Sequence, residues 1–108
     1  MKNINLLGAT GSIGMQTIDI IRNHPEEFKL TAVSGGRNID GIRAIVRELK
    51  PELVSVLNKE DADRLKSEFQ NVIIMHGDEG LIETAVYHKG DVVVNAVMGS
   101  IGLIPTMK

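Results

Sequence analysis

Gly8, Thr10, Gly11, Ser12, Ile13 and Gly14 follow a short apolar segment and precede a run with helical periodicity. Three glycines at a spacing of three, with two hydroxyls between them, are residue types that let a backbone close around an anion. A strand that stops at a glycine turn and restarts as a helix aims unpaired backbone N–H groups at one point. The positive end of the helix dipole falls at the same point. Residues 8–14 are therefore expected to hold a phosphate. The Thr10 and Ser12 hydroxyls and the backbone N–H groups of Ser12 and Ile13 are the expected donors. Either hydroxyl can instead cap the helix, and a capping hydroxyl would still face the anion.

Two other stretches, 34–38 and 95–102, are rich in glycine or small polar residues and also follow predicted strands. In a parallel sheet with helices on both faces, ligands sit beyond the carboxyl ends of the strands, where strand order reverses. The three loops are expected to meet there, and together they are more specific than one glycine fingerprint. The second loop selects the cofactor. An NAD site carries an acidic residue about 20 positions past the glycines to hold the ribose 2′-hydroxyl. That count reaches Ser34, and no Asp or Glu lies within 31–39. Arg37 does, and its guanidinium offers paired donors suited to a phosphate. NADP(H) is expected over NAD(H), with Ser34 and Asn38 adding neutral hydrogen bonds. Taken alone, Arg37 reads more readily as a solvated loop arginine, and it is its position at the end of the second strand that favours the ligand reading.

The elements that must position these loops follow from the apolar pattern. Ile4 and Leu6 alternate with Asn3 and Asn5 in a first strand. A helix from Ser12, with Ile13, Ile18, Ile20 and Ile21 apolar, ends at His24-Pro25. Strands are expected over 28–33, 53–57, 72–75 and 91–97. Asn38 or Asp40 caps a helix that stops at Pro51, and its Ile42, Ile45, Val46 and Leu49 share a face. Asn58 caps a third helix marked by Leu65 and Phe69, 81–88 is a short fourth, and Ile104-Pro105 opens a last one. Strand and helix alternate, which argues an α/β, Rossmann-like, doubly wound parallel sheet. Gly-Ser-Ile-Gly occurs at 11–14 and again at 99–102. The repeat reads either as convergent turn chemistry or as two halves of one fold lending turns to one crevice.

Composition excludes several classes. A chain of 108 residues, 43% hydrophobic and 24% charged, suits one globular domain. The formal charge of −2 and 3% aromatics leave neither a basic field nor stacking platforms for nucleic acid. With no cysteine there is no disulfide or thiolate chemistry, which fits a reducing cytoplasm. Apolar runs are too short to span a bilayer, and Asn3, Asn5 and the early glycines break any leader-type apolar region. His24, His76 and His88 share no metal-ligand spacing. Asp61, Asp63, Asp78 and Glu79 fall in expected first turns, where carboxylates favour the dipole. No residue set here is expected to make or break bonds by itself, and no catalytic or metal-binding residue is assigned.

Residues 8–14 (Gly-Ala-Thr-Gly-Ser-Ile-Gly), Gly36-Arg37-Asn38 and 95–106 (Asn-Ala-Val-Met-Gly-Ser-Ile-Gly-Leu-Ile-Pro-Thr) in this order resemble the 1-deoxy-D-xylulose 5-phosphate reductoisomerases. The resemblance runs the whole length of the chain. It implies an enzyme that rearranges 1-deoxy-D-xylulose 5-phosphate and reduces the product with NADPH to 2-C-methyl-D-erythritol 4-phosphate, in non-mevalonate isoprenoid biosynthesis. It implies a divalent metal (Mg²⁺, Mn²⁺ or Co²⁺) and a cytoplasmic homodimer. By matching motifs, Thr10, Gly11, Ser12 and Ile13, turned from Gly8, are implied as diphosphate contacts. Gly36, Arg37 and Asn38 are implied as readers of the adenosine ribose phosphate. The stretch 96–100 is implied to pass near the nicotinamide. Members of the family continue far past residue 108, and their metal and substrate ligands lie there. Residues 1–108 are thus expected to be an incomplete NADPH-binding domain, inactive alone and prone to self-association. A stand-alone NAD(P)-binding regulatory module is the alternative.

Overall fold

The computed structural model describes residues 2–36, 38–87, 89–96 and 100–103, the last four as backbone. β1 (Lys2–Leu7), α1 (Ser12–Asn23), β2 (Phe28–Ser34), α2 (Ile39–Leu49), β3 (Leu53–Val56), α3 (Lys59–Glu68), β4 (Ile73–His76), α4 (Gly77–Ala85) and β5 (Val92–Asn95) alternate as the apolar pattern requires. A further strand, β6 (Ser100–Leu103), follows. The sheet order is β4-β3-β2-β1-β5-β6. β1 to β5 are parallel, and β6 lies antiparallel on β5.

Strand order dictates the layers. The first three crossovers step outward from β1 to β4, and right-handed connections put α1, α2 and α3 on one face. The fourth returns past β3 and β2 to the far side of β1, so α4 packs across β3, β1 and β2 on the other face. Strand order therefore reverses between β1 and β5. Ile4, Leu6, Leu30, Val33, Val54 and Ile74 from the sheet meet Ile18, Ile21, Ile42, Ile45, Val46 and Leu65 from the helices in the main core. The opposite sheet face is more polar, with buried Asn5, Ser34 and Ser55.

A register shift between Ile4 and Asn5 lets Leu30 and Val33 of β2 both face the helices, with Thr31 as the extra residue. Arg22 of α1 donates through Nε and Nη2 to Glu48 of α2 at 2.6 and 2.8 Å. Arg43 of α2 does the same to Glu68 of α3 at 2.6 and 2.9 Å. These bidentate pairs tie consecutive helices. Hydrogen bonds from the guanidinium hold the Glu48 and Glu68 carboxyls below the usual range.

Several elements differ from expectation. On α1 only Gly14, Ile18 and Ile21 are buried, and Ile13, Met15 and Ile20 face outward. Asn58 stands at the N-cap of α3 without a side-chain cap bond. α4 starts at Gly77, whose φ is 69°, and ends at Ala85, ahead of the expected 81–88. Asp78 and Glu79 then sit in its first turn, where the dipole favours them. Residues 100–102 form part of β6 and are not a glycine turn. The second Gly-Ser-Ile-Gly therefore does not repeat the helix-opening role of the first. The expected helix at 104–105 lies outside the described residues.

Candidate functional site

At the reversal point, β1 ends at Leu7 and Gly8 turns the chain with φ 79°, a left-handed conformation that suits glycine. The Gly8 N–H donates to the Ser34 carbonyl at 3.0 Å and to Ser34 Oγ at 3.2 Å. The Ala9 N–H donates to the same carbonyl at 2.9 Å. Ser34, expected to face the ligand, is buried and instead fastens the first loop to the end of β2. Gly11 then takes an extended conformation as N-cap of α1, with φ −84° and ψ 179°.

No side chain caps α1, and its first turn carries no acidic residue. The earliest bond to the loop is the Met15 N–H donating to the Gly11 carbonyl at 2.9 Å. The N–H groups of Ser12, Ile13 and Gly14 have no backbone acceptor among the described residues. Neither Thr10 nor Ser12 takes the capping role. Three donors and the positive helix end are thus presented together at the carboxyl edge, an arrangement that attracts an anion. Ser12 and Ile13 are exposed there, and Thr10 is half-buried. Gly14 explains how α1 comes so close. A Cβ at that position would overlap the Gly8 carbonyl oxygen and stand 2.7 Å from the Ala9 backbone.

The second loop lies alongside. Gly35 donates to the Ser55 carbonyl at 2.9 Å, and a Cβ on it would run into Ile42. Gly36 is exposed, with open space where a Cβ would stand. Asn38 caps α2, its Oδ1 accepting from the Gly41 N–H at 3.0 Å. The amide Nδ2 remains the donor it can offer a ligand. Thr10 Cγ2 lies 3.1 Å from where a Gly41 Cβ would be built, so the first loop lies against the first turn of α2. Arg37 lies outside the described residues. Of the third loop, Ala96 donates to the Leu7 carbonyl at 2.8 Å, and 97–99 lie outside the described residues.

Gly8, Ser34 and Gly36 line one cavity of about 180 Å³ together with residues that sequence reasoning missed: Ser55 and Val56 at the end of β3, Leu57 just past it, and Gly77, Asp78 and Leu81 of α4. A signal was present, because strand, glycine and helix succeed one another at 73–81 as they do at 2–14. Larger hollows of about 450 and 370 Å³ lie at the opposite, amino edge and contain none of the glycine loops.

The largest ionisation shifts also belong to the amino edge. The Tyr87 hydroxyl donates to Glu52 Oε1 at 2.7 Å, and Lys89 Nζ lies 3.0 Å from the same oxygen. Hydrogen bonds from Tyr87 and Lys89 hold the Glu52 carboxyl at about 2. Burial, with the carboxylate beside it, pushes Tyr87 up to about 12. Among the described residues no group of three or more His, Asp or Glu could hold a metal ion, and no helix is long and apolar enough to cross a membrane.

Residues 4–108 match the family model described as 1-deoxy-D-xylulose 5-phosphate reductoisomerase. A relative of that name from Listeria welshimeri is 57% identical over 107 residues, covering 99% of this chain and 28% of the relative. Another, from Geobacillus sp. (strain WCH70), is 52% identical over 109 residues, covering 100% of this chain and 29% of the relative. A solved DOX-P reductoisomerase in complex with NADPH, fosmidomycin and magnesium superposes with a TM-score of 0.80 at 34% identity, over 86% of this chain and 24% of that one. The chain spans less than a third of the length of the curated relatives it matches.

Proposed function

The chain belongs to the 1-deoxy-D-xylulose 5-phosphate reductoisomerase family, and from that premise we propose that it is the NADPH-binding portion of such an enzyme. The observation that carries this reading is the uncapped first turn of α1, set over the left-handed Gly8 where strand order reverses. The Ser12 and Ile13 N–H groups donate to the cofactor diphosphate, with Gly11 and the Thr10 and Ser12 hydroxyls around it. Gly36 leaves room for close approach of the adenosine ribose. Arg37 pairs with the 2′-phosphate, and Asn38 adds its Nδ2–H. NADPH, when bound, supplies the hydride that reduces the rearranged sugar phosphate.

The residues present fit the dinucleotide, since donors and open glycines stand where its phosphates would lie. They offer no ligand set for Mg²⁺, Mn²⁺ or Co²⁺ among those described. The metal and sugar-phosphate ligands are assigned to the parts of the relatives that this chain does not match. The whole enzyme is read as a cytoplasmic homodimer in isoprenoid biosynthesis, and residues 1–108 as incapable of turnover alone.

The test is titration of the chain with NADPH and with NADH, repeated with Arg37→Asp. The wild-type chain is expected to prefer NADPH by about tenfold or more, as loss of a charge-assisted phosphate contact implies. Arg37→Asp is expected to erase or reverse the preference. Equal binding of both cofactors by the wild-type chain would overturn the assignment of residues 36–38.

A further inference from the structure

Gly41 stands between two residues proposed to hold the cofactor, Thr10 and Asn38, and has no contact of its own assigned to it. It lies half-buried in the first turn of α2. Its N–H donates to Asn38 Oδ1 at 3.0 Å, which caps the helix and fixes the amide. A Cβ built on Gly41 would stand 3.0 Å from Asn38 Nδ2, 3.2 Å from Asn38 Cγ and 3.1 Å from Thr10 Cγ2. At such separations the neighbours would have to give by a few tenths of an ångström. Thr10 belongs to the diphosphate loop and Asn38 to the loop proposed for the 2′-phosphate. The absence of one methyl group thus lets both side chains lie against the same point.

What could give decides the consequence. The Asn38 amide cannot swing aside without releasing the Gly41 N–H, its capping bond. Thr10 can turn to another rotamer, but the turn carries its hydroxyl along with its methyl. Withdrawal of α2 would drag Ile42, next in the chain and fully buried, out of a close-packed core. Every relief that spares the core therefore moves a group proposed to hold the cofactor.

We infer that Gly41 is a positioning residue for the dinucleotide: bare of a side chain, it sets the spacing between the diphosphate loop and the 2′-phosphate loop. It acts through Thr10 and Asn38. The inference rests on the NADPH reading above and adds to it the residue that keeps the two phosphate subsites in register.

The experiment measures NADPH affinity and thermal melting for the wild-type chain, Gly41→Ala, Thr10→Ser and the double variant. Gly41→Ala is expected to weaken NADPH about fivefold or more, the scale of one hydrogen bond lost. It is expected to melt no more than about 4 °C below the wild type, because alanine favours a helix over glycine and offsets the crowding. Thr10→Ser keeps the hydroxyl and removes the methyl, so a Cβ at position 41 gains room on that side. In the Thr10→Ser chain the same Gly41→Ala change is therefore expected to cost about twofold or less, the non-additivity of residues in contact. A merely helical role for Gly41 would move the melting temperature and leave no such difference between the two backgrounds. NADPH binding by Gly41→Ala as tight as the wild type's, or an equal loss in both backgrounds, overturns the inference while leaving the NADPH reading in place. A larger fall in Tm, or failure of Gly41→Ala to fold, overturns it as well, since the crowding would then fall on the fold and not on the cofactor contacts. Failure of the wild-type chain to bind NADPH overturns both readings.

Discussion

Gly14→Ala and Gly11→Ala each add one methyl group to the same loop, and the structure separates their consequences. At Gly14 the new Cβ would overlap the Gly8 carbonyl oxygen and stand 2.7 Å from the Ala9 carbonyl carbon and Cα. Both neighbours are backbone, so no rotamer change relieves the contact. Overpacking of this kind costs ~1–3 kcal/mol, and backbone against backbone places it near the upper end. Alanine returns about 1 kcal/mol of helix propensity. The net loss of about 2 kcal/mol corresponds to a fall in Tm of about 8–16 °C for a domain of this size. At Gly11 the nearest atom to a new Cβ is the Gly8 oxygen at 3.8 Å, an ordinary contact, and φ is −84°. Gly11→Ala should therefore melt within about 4 °C of the wild type, with a change of ~0.5 kcal/mol. Its exposed Cβ stands where the diphosphate is proposed to rest, so NADPH affinity should fall several-fold. Thermal melts followed by far-UV circular dichroism, paired with NADPH titration, read both effects. An unaltered Tm for Gly14→Ala, or equal losses of Tm for the two variants, would refute the packing argument.

Tyr87 is the single tyrosine, and the chain has no tryptophan, so its ionisation can be followed alone by ultraviolet absorbance. Its midpoint should lie near 12, and Glu52→Gln should move it back toward 10. An ordinary wild-type midpoint would contradict the Tyr87–Glu52 contact. The same clasp sets a pH window. The Glu52 carboxyl is depressed to about 2, so its stabilisation is present above about 4.5 and lost as pH falls from there toward 2. Tyr87 is raised, so its stabilisation is present below about 10 and lost as pH rises toward 12. Melts across pH should show losses at both limits that Glu52→Gln reduces. Asn38→Ala removes the cap of α2 and should cost about 1 kcal/mol, or about 4–8 °C in Tm, and unchanged melting would show that the Gly41 bond carries little.

The opening of the fold was legible because one local pattern encodes it. Alternation through Leu6, glycines at 8, 11 and 14 and the stop at His24-Pro25 each need nothing distant to be understood. Parallel order followed from the alternation of strand and helix. What escaped was set by tertiary contact. Ser100–Leu103 contains a glycine and follows another, yet it pairs as β6 because β5 offers an unpaired edge. Thr31 reads like any strand residue, and only the pairing with β1 reveals the bulge. Hydroxyls at 10 and 12 suggested a helix cap, whereas the backbone conformation places Gly11 there and leaves the donors open. The fourth helix starts at Gly77, ahead of the expected residue 81, so Asp78 and Glu79 occupy its first turn, where the dipole favours acids.

The open first turn of α1 is proposed to receive the cofactor diphosphate. Backbone amide resonances followed by NMR during NADPH titration test it most directly. The Ser12, Ile13 and Gly14 amides should shift with the added cofactor, saturating together with those of Gly36 and Asn38, while Glu52 and Tyr87 at the opposite edge stay in place. Binding that leaves residues 12–14 unmoved and perturbs the amino edge instead would contradict it.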